Sequence, residues 1–310
     1  MDKLNNPIWQ MGLIVLGVLI VSSIIVLVLR FAKPQKNFSE LSARIKGWWI
    51  MVVVFFGAIA VPNNVSLIFF AFLSFWALKE YVTLLKTRPA DHRALVWAFI
   101  AVPVQYLWVG MHWYGMFIIF IPVYMFLWLP MRLVMARETT GFVAAASQIQ
   151  WGLMAFVFGL SHLAMLLIWP AIPGTAANGR TLLLFLVFVV EISDVLQYCW
   201  GKTLGRTKII PTVSPNKTWE GFLGGIVSAS LVSLLLRFLT PFSPAETIGV
   251  AFLITVAGFF GGAVMSAVKR DFGVKDFGTL IPGHGGMLDR VDSLCYAAPL
   301  FFHYVRYFHS

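Results

Sequence analysis

Long apolar runs separated by short polar connections dominate the chain. Ten stretches carry little or no charge: residues 11–29, 48–62, 65–78, 94–110, 115–131, 151–169, 181–200, 221–240, 247–267 and 293–308. About 20 helical residues cross a hydrocarbon layer roughly 30 Å thick, and in lipid only a helix or a closed barrel satisfies every backbone polar group. The pattern therefore predicts an all-α polytopic membrane protein with about nine to ten transmembrane helices and cytoplasmic polar loops. The second and third runs are short and separated only by Asn63 and Asn64, so a tight hairpin or one re-entrant pair is open there. The first run is too long for the core of a cleavable signal and lacks a small-residue cleavage site, so it is expected to stay as an anchor.

The polar connections test the parity of these spans. Lys and Arg resist translocation, so short cytoplasmic loops collect them. With the N-terminus outside, the inside loops hold Arg30, Lys33, Lys36, Arg44 and Lys46, then Lys79, Lys86, Arg88 and Arg93, then Arg132 and Arg137. The two late ones add Lys202, Arg206, Lys208 and Lys217, then Lys269, Arg270, Lys275 and Arg290. This puts 19 of 23 cations on one side and leaves Lys3, Arg180, Arg237 and Arg306 elsewhere. Both late loops are expected to face the cytoplasm of an integral membrane protein, taken as one of a bacterial inner membrane because no organelle-targeting segment is evident.

Composition narrows the class. The chain is 59% hydrophobic and only 12% charged, against about a quarter charged in soluble domains, which excludes a water-soluble globule, a disordered chain and collagen. The net charge of +10 suits phosphate-bearing partners such as anionic lipid or nucleotide, although the positive-inside rule alone would account for much of it. Cys199 and Cys295 lie far apart in apolar runs and imply no disulfide framework.

Residues 1–180 look like membrane scaffold, rich in Trp, Phe and Val, and 181–310 like the catalytic part of the same unit. The segment from Ser266 to Ser293, SAVKRDFGVKDFGTLIPGHGGMLDRVDS, packs four cations, four carboxylates and His284 among glycines. Asp289 and Asp292 at i, i+3 share a helix face and suit Mg²⁺ or another hard divalent cation, whose other ligands are waters and substrate phosphates. They would equally well charge the N-terminus of the last helix. Gly283, Gly285 and Gly286 permit backbone conformations in which successive N–H groups face an anion, and Lys269, Arg270 and Lys275 would neutralise a polyphosphate.

The loop from Gly201 to Gly221, GKTLGRTKIIPTVSPNKTWEG, offers Lys202, Arg206, Lys208 and Lys217 with Ser214 and Thr218, a phosphate-binding repertoire without Walker spacing. Upstream, Glu191, Asp194 and Tyr198 follow i, i+3, i+7 on one face. Ionisable groups at membrane depth are costly unless they line a polar cavity, so this stripe is a candidate site. His112, His162, His303 and His309 lack companion ligands, and no internal repeat of the kind common in transporters is visible.

The runs S-A-V-K-R, K-D-F-G and I-P-G-H-G-G-M-L-D-R-V-D resemble the signature of phosphatidate cytidylyltransferases, or CDP-diacylglycerol synthases. Asp194, Tyr198 and Gly201, followed by S-P-N-K-T-W-E-G, are similar to that family's second block, so the resemblance covers at least 190 to 293. It implies a polytopic enzyme that transfers a cytidylyl group from CTP to phosphatidic acid, giving CDP-diacylglycerol and pyrophosphate with the help of Mg²⁺ or another divalent cation. It also implies phosphate or nucleotide binding by Ser214, Lys217, Ser266 and Lys269, and a metal centre at Asp289 and Asp292. Asp276 and His284 fall on motif positions and are expected to be catalytic with Lys269, Asp289 and Asp292. Arg270, Lys275 and Arg290 are expected at the substrate's phosphates, and Asp194 and Glu191 beside the metal.

Gly262 is a departure, since many bacterial members carry a metal-site acid there; Glu191 or Asp271 is expected to supply the missing oxygen. The expected partners are CTP and phosphatidic acid in the membrane, without nucleic acid, and a homodimer is compatible with them. Rival functions are a CTP-dependent polyprenol or lipid-alcohol kinase and a non-catalytic lipid-binding or transport relative.

Overall fold

The computed structural model describes residues 6–32, 38–281, 283 and 285–309, and for Glu40 the backbone alone. It consists of helices α1 (Pro7–Ala32), α2 (Ser39–Ala60), α3 (Asn63–Leu84), α4 (His92–Gly110), α5 (Tyr114–Val134), α6 (Phe142–Leu167), α7 (Gly179–Thr203), α8 (Trp219–Leu239), α9 (Pro244–Asp271) and α10 (Leu294–Phe308). Among the described residues β-structure is limited to two isolated bridges, Lys208 with Thr218 and Ile281 with Gly285. The first nine helices are long and apolar enough to cross a membrane. The last has 15 residues and follows a single helical turn, Leu288–Val291. The expected all-α polytopic architecture is therefore present.

The helix starts have local causes. Asn178 Oδ1 accepts from the amides of Arg180 and Thr181 at α7, Thr218 Oγ1 from Gly221 at α8, and Ser243 with Glu246 forms a reciprocal cap at α9. Of the two expectations for the second and third runs, the tight hairpin forms, with Val61 and Pro62 as its turn, and the re-entrant pair does not. The two runs are helices of 22 residues each, extended by polar residues that hydropathy alone leaves out, and Asn63 and Asn64 begin α3 rather than linking it to α2.

The core lies where α3, α6, α7, α9 and α10 meet. Leu182 to Leu186 of α7 are fully buried, as are Phe301 and Phe302 of α10, whereas α1 lies at the periphery with only 17% of its most apolar window buried. Lipid supplies no hydrophobic drive between helices, so close packing relies on small residues. A Cβ on Gly221 would stand 2.9 Å from Gln197 O, and one on Gly224 would stand 2.7 Å from the Trp200 ring. Gly225 is pressed equally close to Gln197, so α7 and α8 touch through glycines. On α9, a Cβ on Gly261 would stand 3.0 Å from Asp292 O, which lets the start of α10 close onto that helix. We expect Gly225→Leu to force α7 from α8 at a cost of about 1–3 kcal/mol, seen as a lowered thermal midpoint in detergent; an unchanged midpoint would show that the contact is not tight.

The polar loops gather at one end of the bundle. Arg270 Nε donates to Val213 O at 3.3 Å, joining the two late loops. Glu80 at the end of α3 accepts from Met287 and Leu288, and Gly283 packs against Ala43 and Arg44 of α2. Arg88 after α3 approaches Glu138 after α5 at 3.8 Å.

Candidate active site

Helix α9 brings Ser266, Lys269 and Arg270 to that end, and the loop that follows folds back over them. Gly283 and Gly285 have φ of +76° and +82°, a region open to glycine and strained for other residues, and Ile281 N donates to Gly285 O at 2.8 Å to close the turn. His284 lies outside the described residues.

Asp289 is the hub of this turn. Its Oδ1 accepts from Lys269 Nζ at 2.8 Å, and its Oδ2 accepts from Phe277 N at 2.8 Å and Gly286 N at 2.9 Å. The Asp289 side chain is only 2% exposed and that of Lys269 14%, so this is a buried ion pair with hydrogen bonds on both oxygens.

Asp292 faces the other way. Its Oδ1 accepts from Ser293 N at 2.7 Å, and Ser293 Oγ lies 3.4 Å from that oxygen and 3.3 Å from Asp194 Oδ2 of α7. Two carboxylates, one from α7 and one from the turn before α10, thus meet at one hydroxyl. Glu191, one turn earlier on α7, has Asp194, Arg290 and Asp292 as its charged neighbours. Lys217 closes the cluster from the loop before α8, donating to Phe259 O at 3.2 Å with its ammonium 4.1 Å above the Phe259 ring. Burial pushes the Lys217 ammonium down from its ordinary value, against the pull of Asp194 and Asp292. Burial pushes the Asp292 carboxyl up, against Lys269, the Ser293 amide and Arg290.

The structure therefore brings together Glu191, Asp194, Lys217, Arg290, Asp292 and, through Asp289, Lys269. The expected single face shared by Asp289 and Asp292 is resolved into two roles, because their oxygens find different partners. Among the described residues Arg290 Nε is buried without a hydrogen-bond partner, a donor that could serve an anion. Ser266 Oγ donates within its own helix to Gly262 O at 2.7 Å, and Ser214 sits half-buried in the loop beside Val213. Arg270 holds the backbone at Val213 and Val274, while Lys275 and Asp276 are exposed on the outer loop.

At Gly262 a Cβ would stand 3.5 Å from both Lys217 Nζ and Ser293 Oγ, so the position borders the cluster. Of the two candidates to supply an oxygen in place of an acid there, Glu191 lies in the cluster and Asp271 does not: it is exposed beside Tyr81.

Two further acids hold backbone at this end of the bundle. Glu220 accepts from Arg206 N at 3.0 Å and Thr207 N at 3.2 Å, ordering the loop before α8. Glu80, just past the end of the third apolar run, is buried against the loop that carries Asp289. Only the three-dimensional path of α3 reveals that.

The donor set suits a hard divalent cation. Such an ion needs one or two carboxylates and completes its shell with water and phosphate oxygens, and Asp194 with Asp292 would supply those carboxylates without His or Cys. Among the described residues no group of three or more His, Cys, Asp and Glu stands close enough to hold a metal alone, so the remaining ligands would be waters and phosphates.

A bundle of apolar helices with cations and carboxylates gathered at one end defines an integral membrane protein with a polar site at that end. The chain belongs to the Cytidylyltransferase family, whose profile matches residues 42–308. It is 41% identical over 292 residues to the protein named Uncharacterized protein YnbB of Escherichia coli (strain K12), covering 94% of this chain and 96% of that protein. It is 40% identical over 128 residues to the Phosphatidate cytidylyltransferase of Staphylococcus aureus (strain COL), and 39% to that of Staphylococcus saprophyticus. The matched region spans about half the length of those two relatives, 49% of each.

Proposed function

We propose that this chain transfers the cytidylyl group of CTP to phosphatidic acid, releasing pyrophosphate and leaving a CDP-diacylglycerol in the membrane. The observation that carries the proposal is the meeting of Asp194 and Asp292 at Ser293, with Lys217 and Arg290 beside them, at the end of a helix whose outer face is open. Asp194 is exposed, and Tyr198 one turn further on α7 is 65% exposed. A lipid phosphate could therefore approach sideways while its acyl chains stay in the bilayer, and a nucleotide could enter from the loop side, whose excess of cations supports reading it as the cytoplasmic one. The names of the Staphylococcus relatives support phosphatidic acid as acceptor.

In the reaction a phosphatidate oxygen attacks the α-phosphorus of CTP in line as the bond to the β-phosphate oxygen breaks, and pyrophosphate leaves with that electron pair. Lys217, Arg290 and Lys269 would hold the phosphates and offset their charge, so rate enhancement comes from positioning and electrostatics. A divalent cation at Asp194 and Asp292 would neutralise charge developing on the phosphates.

The test is incubation of purified protein with α-labelled CTP and phosphatidic-acid vesicles, with Mg²⁺ or with EDTA. The expected result is label in lipid and one pyrophosphate per CDP-lipid, abolished by EDTA and restored by Mg²⁺. Release of CDP with a new phospholipid from an alcohol acceptor would make the chain a kinase. No nucleotide consumption with any lipid would mark a non-catalytic relative.

A further inference from the structure

We propose that Glu80 of α3 is a positioning residue for this reaction: its buried carboxylate fixes the segment 286–288 and thereby sets where Asp289 holds Lys269. The proposal rests on the cytidylyl-transfer function proposed above, and it assigns a role in the site to the N-terminal half of the chain.

Glu80 is only 5% exposed. Its Oε1 accepts from Met287 N at 3.0 Å and from Trp76 Nε1 at 3.1 Å, and its Oε2 accepts from Leu288 N at 2.8 Å. The backbone closes tightly around it. A Cβ on Gly278 would stand 2.7 Å from Glu80 Oε1, and one on Gly286 would stand 2.5 Å from Oε2, so glycine at both positions is what allows the loop to wrap a carboxylate. A buried carboxylate held by N–H donors is expensive to disturb, because removing it strands the donors and removing the donors strands the charge.

The geometry explains how the effect reaches the site. Gly286 touches Glu80 through its Cα side and gives its N–H to Asp289 Oδ2 at 2.9 Å. Met287 and Leu288, whose amides Glu80 holds, immediately precede Asp289 in the chain. Two acids therefore grip one short segment, Glu80 from the membrane scaffold and Asp289 from the loop itself, and the second of them carries Lys269 at 2.8 Å. Releasing Glu80 lets residues 286–289 shift, and Lys269 moves with Asp289. The consequence falls on the chemical step more than on nucleotide affinity, which Lys217 and Arg290 would still support.

The experiment compares wild type with Glu80→Gln, Glu80→Ala and Trp76→Phe in the full-length protein, using two measurements. The first is hydrogen exchange without substrate. Glu80→Gln keeps the volume but turns one acceptor into a donor, and we expect exchange in 285–289 to rise by about 10-fold or more while α9 is unchanged. The second is turnover per folded protein, from CTP and phosphatidic acid. We expect kcat to fall by about 10- to 100-fold in Glu80→Gln with KM for CTP changed by less than about 3-fold, and Trp76→Phe, which leaves both backbone bonds, to stay close to wild type. Unchanged loop exchange in both Glu80 variants overturns the proposal, and so does faster loop exchange with undiminished kcat. Exchange that rises equally in α9 also overturns it, because Glu80 would then be a general stability residue. If wild type makes no CDP-lipid, the function proposed above fails, while the exchange measurement still decides whether Glu80 holds the loop.

Discussion

Asp292→Asn is expected to lower turnover by about 10²- to 10³-fold, the usual effect of removing one preorganised electrostatic group, without unfolding the protein. The amide oxygen of Asn can keep the bond from Ser293 N that Asp292 Oδ1 now accepts at 2.7 Å, so the start of α10 retains its geometry and only the charge is lost. Asp194→Asn should behave alike, since Asp194 is exposed on α7 and shares the Ser293 hydroxyl at 3.3 Å. A second sign separates loss of cation binding from loss of CTP binding. Both carboxylates repel a triphosphate, so in EDTA each variant should bind CTP at least as tightly as wild type, while in Mg²⁺ each should bind it more weakly. Turnover above half of wild type in both variants would remove these two residues from the site, and weaker CTP binding in EDTA would mean that they contact the nucleotide in some other way.

The helices were legible because hydropathy is set by local sequence: nine of the ten expected spans became membrane-length helices, and parity of charge grouped the loops that meet at one end. The end of α3 was placed too early, because Lys79 and Glu80 continue the helix past the apolar run, and hydropathy measures lipid solubility and not helix length. Within the site, i, i+3 spacing placed Asp289 and Asp292 on one turn but could not say what each oxygen bonds. Their separation depends on Phe277 and Gly286 arriving from one side and Ser293 from the other. The contribution of Glu80 is 207 residues away from Met287 along the chain, and no local pattern encodes a contact of that range.

The Lys269–Asp289 pair carries the other large expected effect, on stability first. Breaking a buried ion pair by removing one partner costs about 3–5 kcal/mol, because the remaining charge stays buried and uncompensated. Lys269→Met leaves Asp289 with the amides of Phe277 and Gly286 but without a counter-charge, on a side chain 2% exposed, so its thermal midpoint should drop well below that of Asp292→Asn. The double variant Lys269→Met with Asp289→Asn removes both charges, and an Asn oxygen can still accept from Phe277 N or Gly286 N. It should therefore recover most of the lost stability, as paired replacement of buried ions commonly does. Turnover should not recover, because Lys269 is assigned to the phosphates and Met cannot replace an ammonium there. The decisive comparison is thermal midpoint against CTP-dependent product for the single and double variants. If stability and turnover returned together, the pair would be a structural strut and the phosphates would be held by Lys217 and Arg290 alone. If stability returned and turnover did not, the ammonium that Asp289 now holds would be the one that meets the substrate.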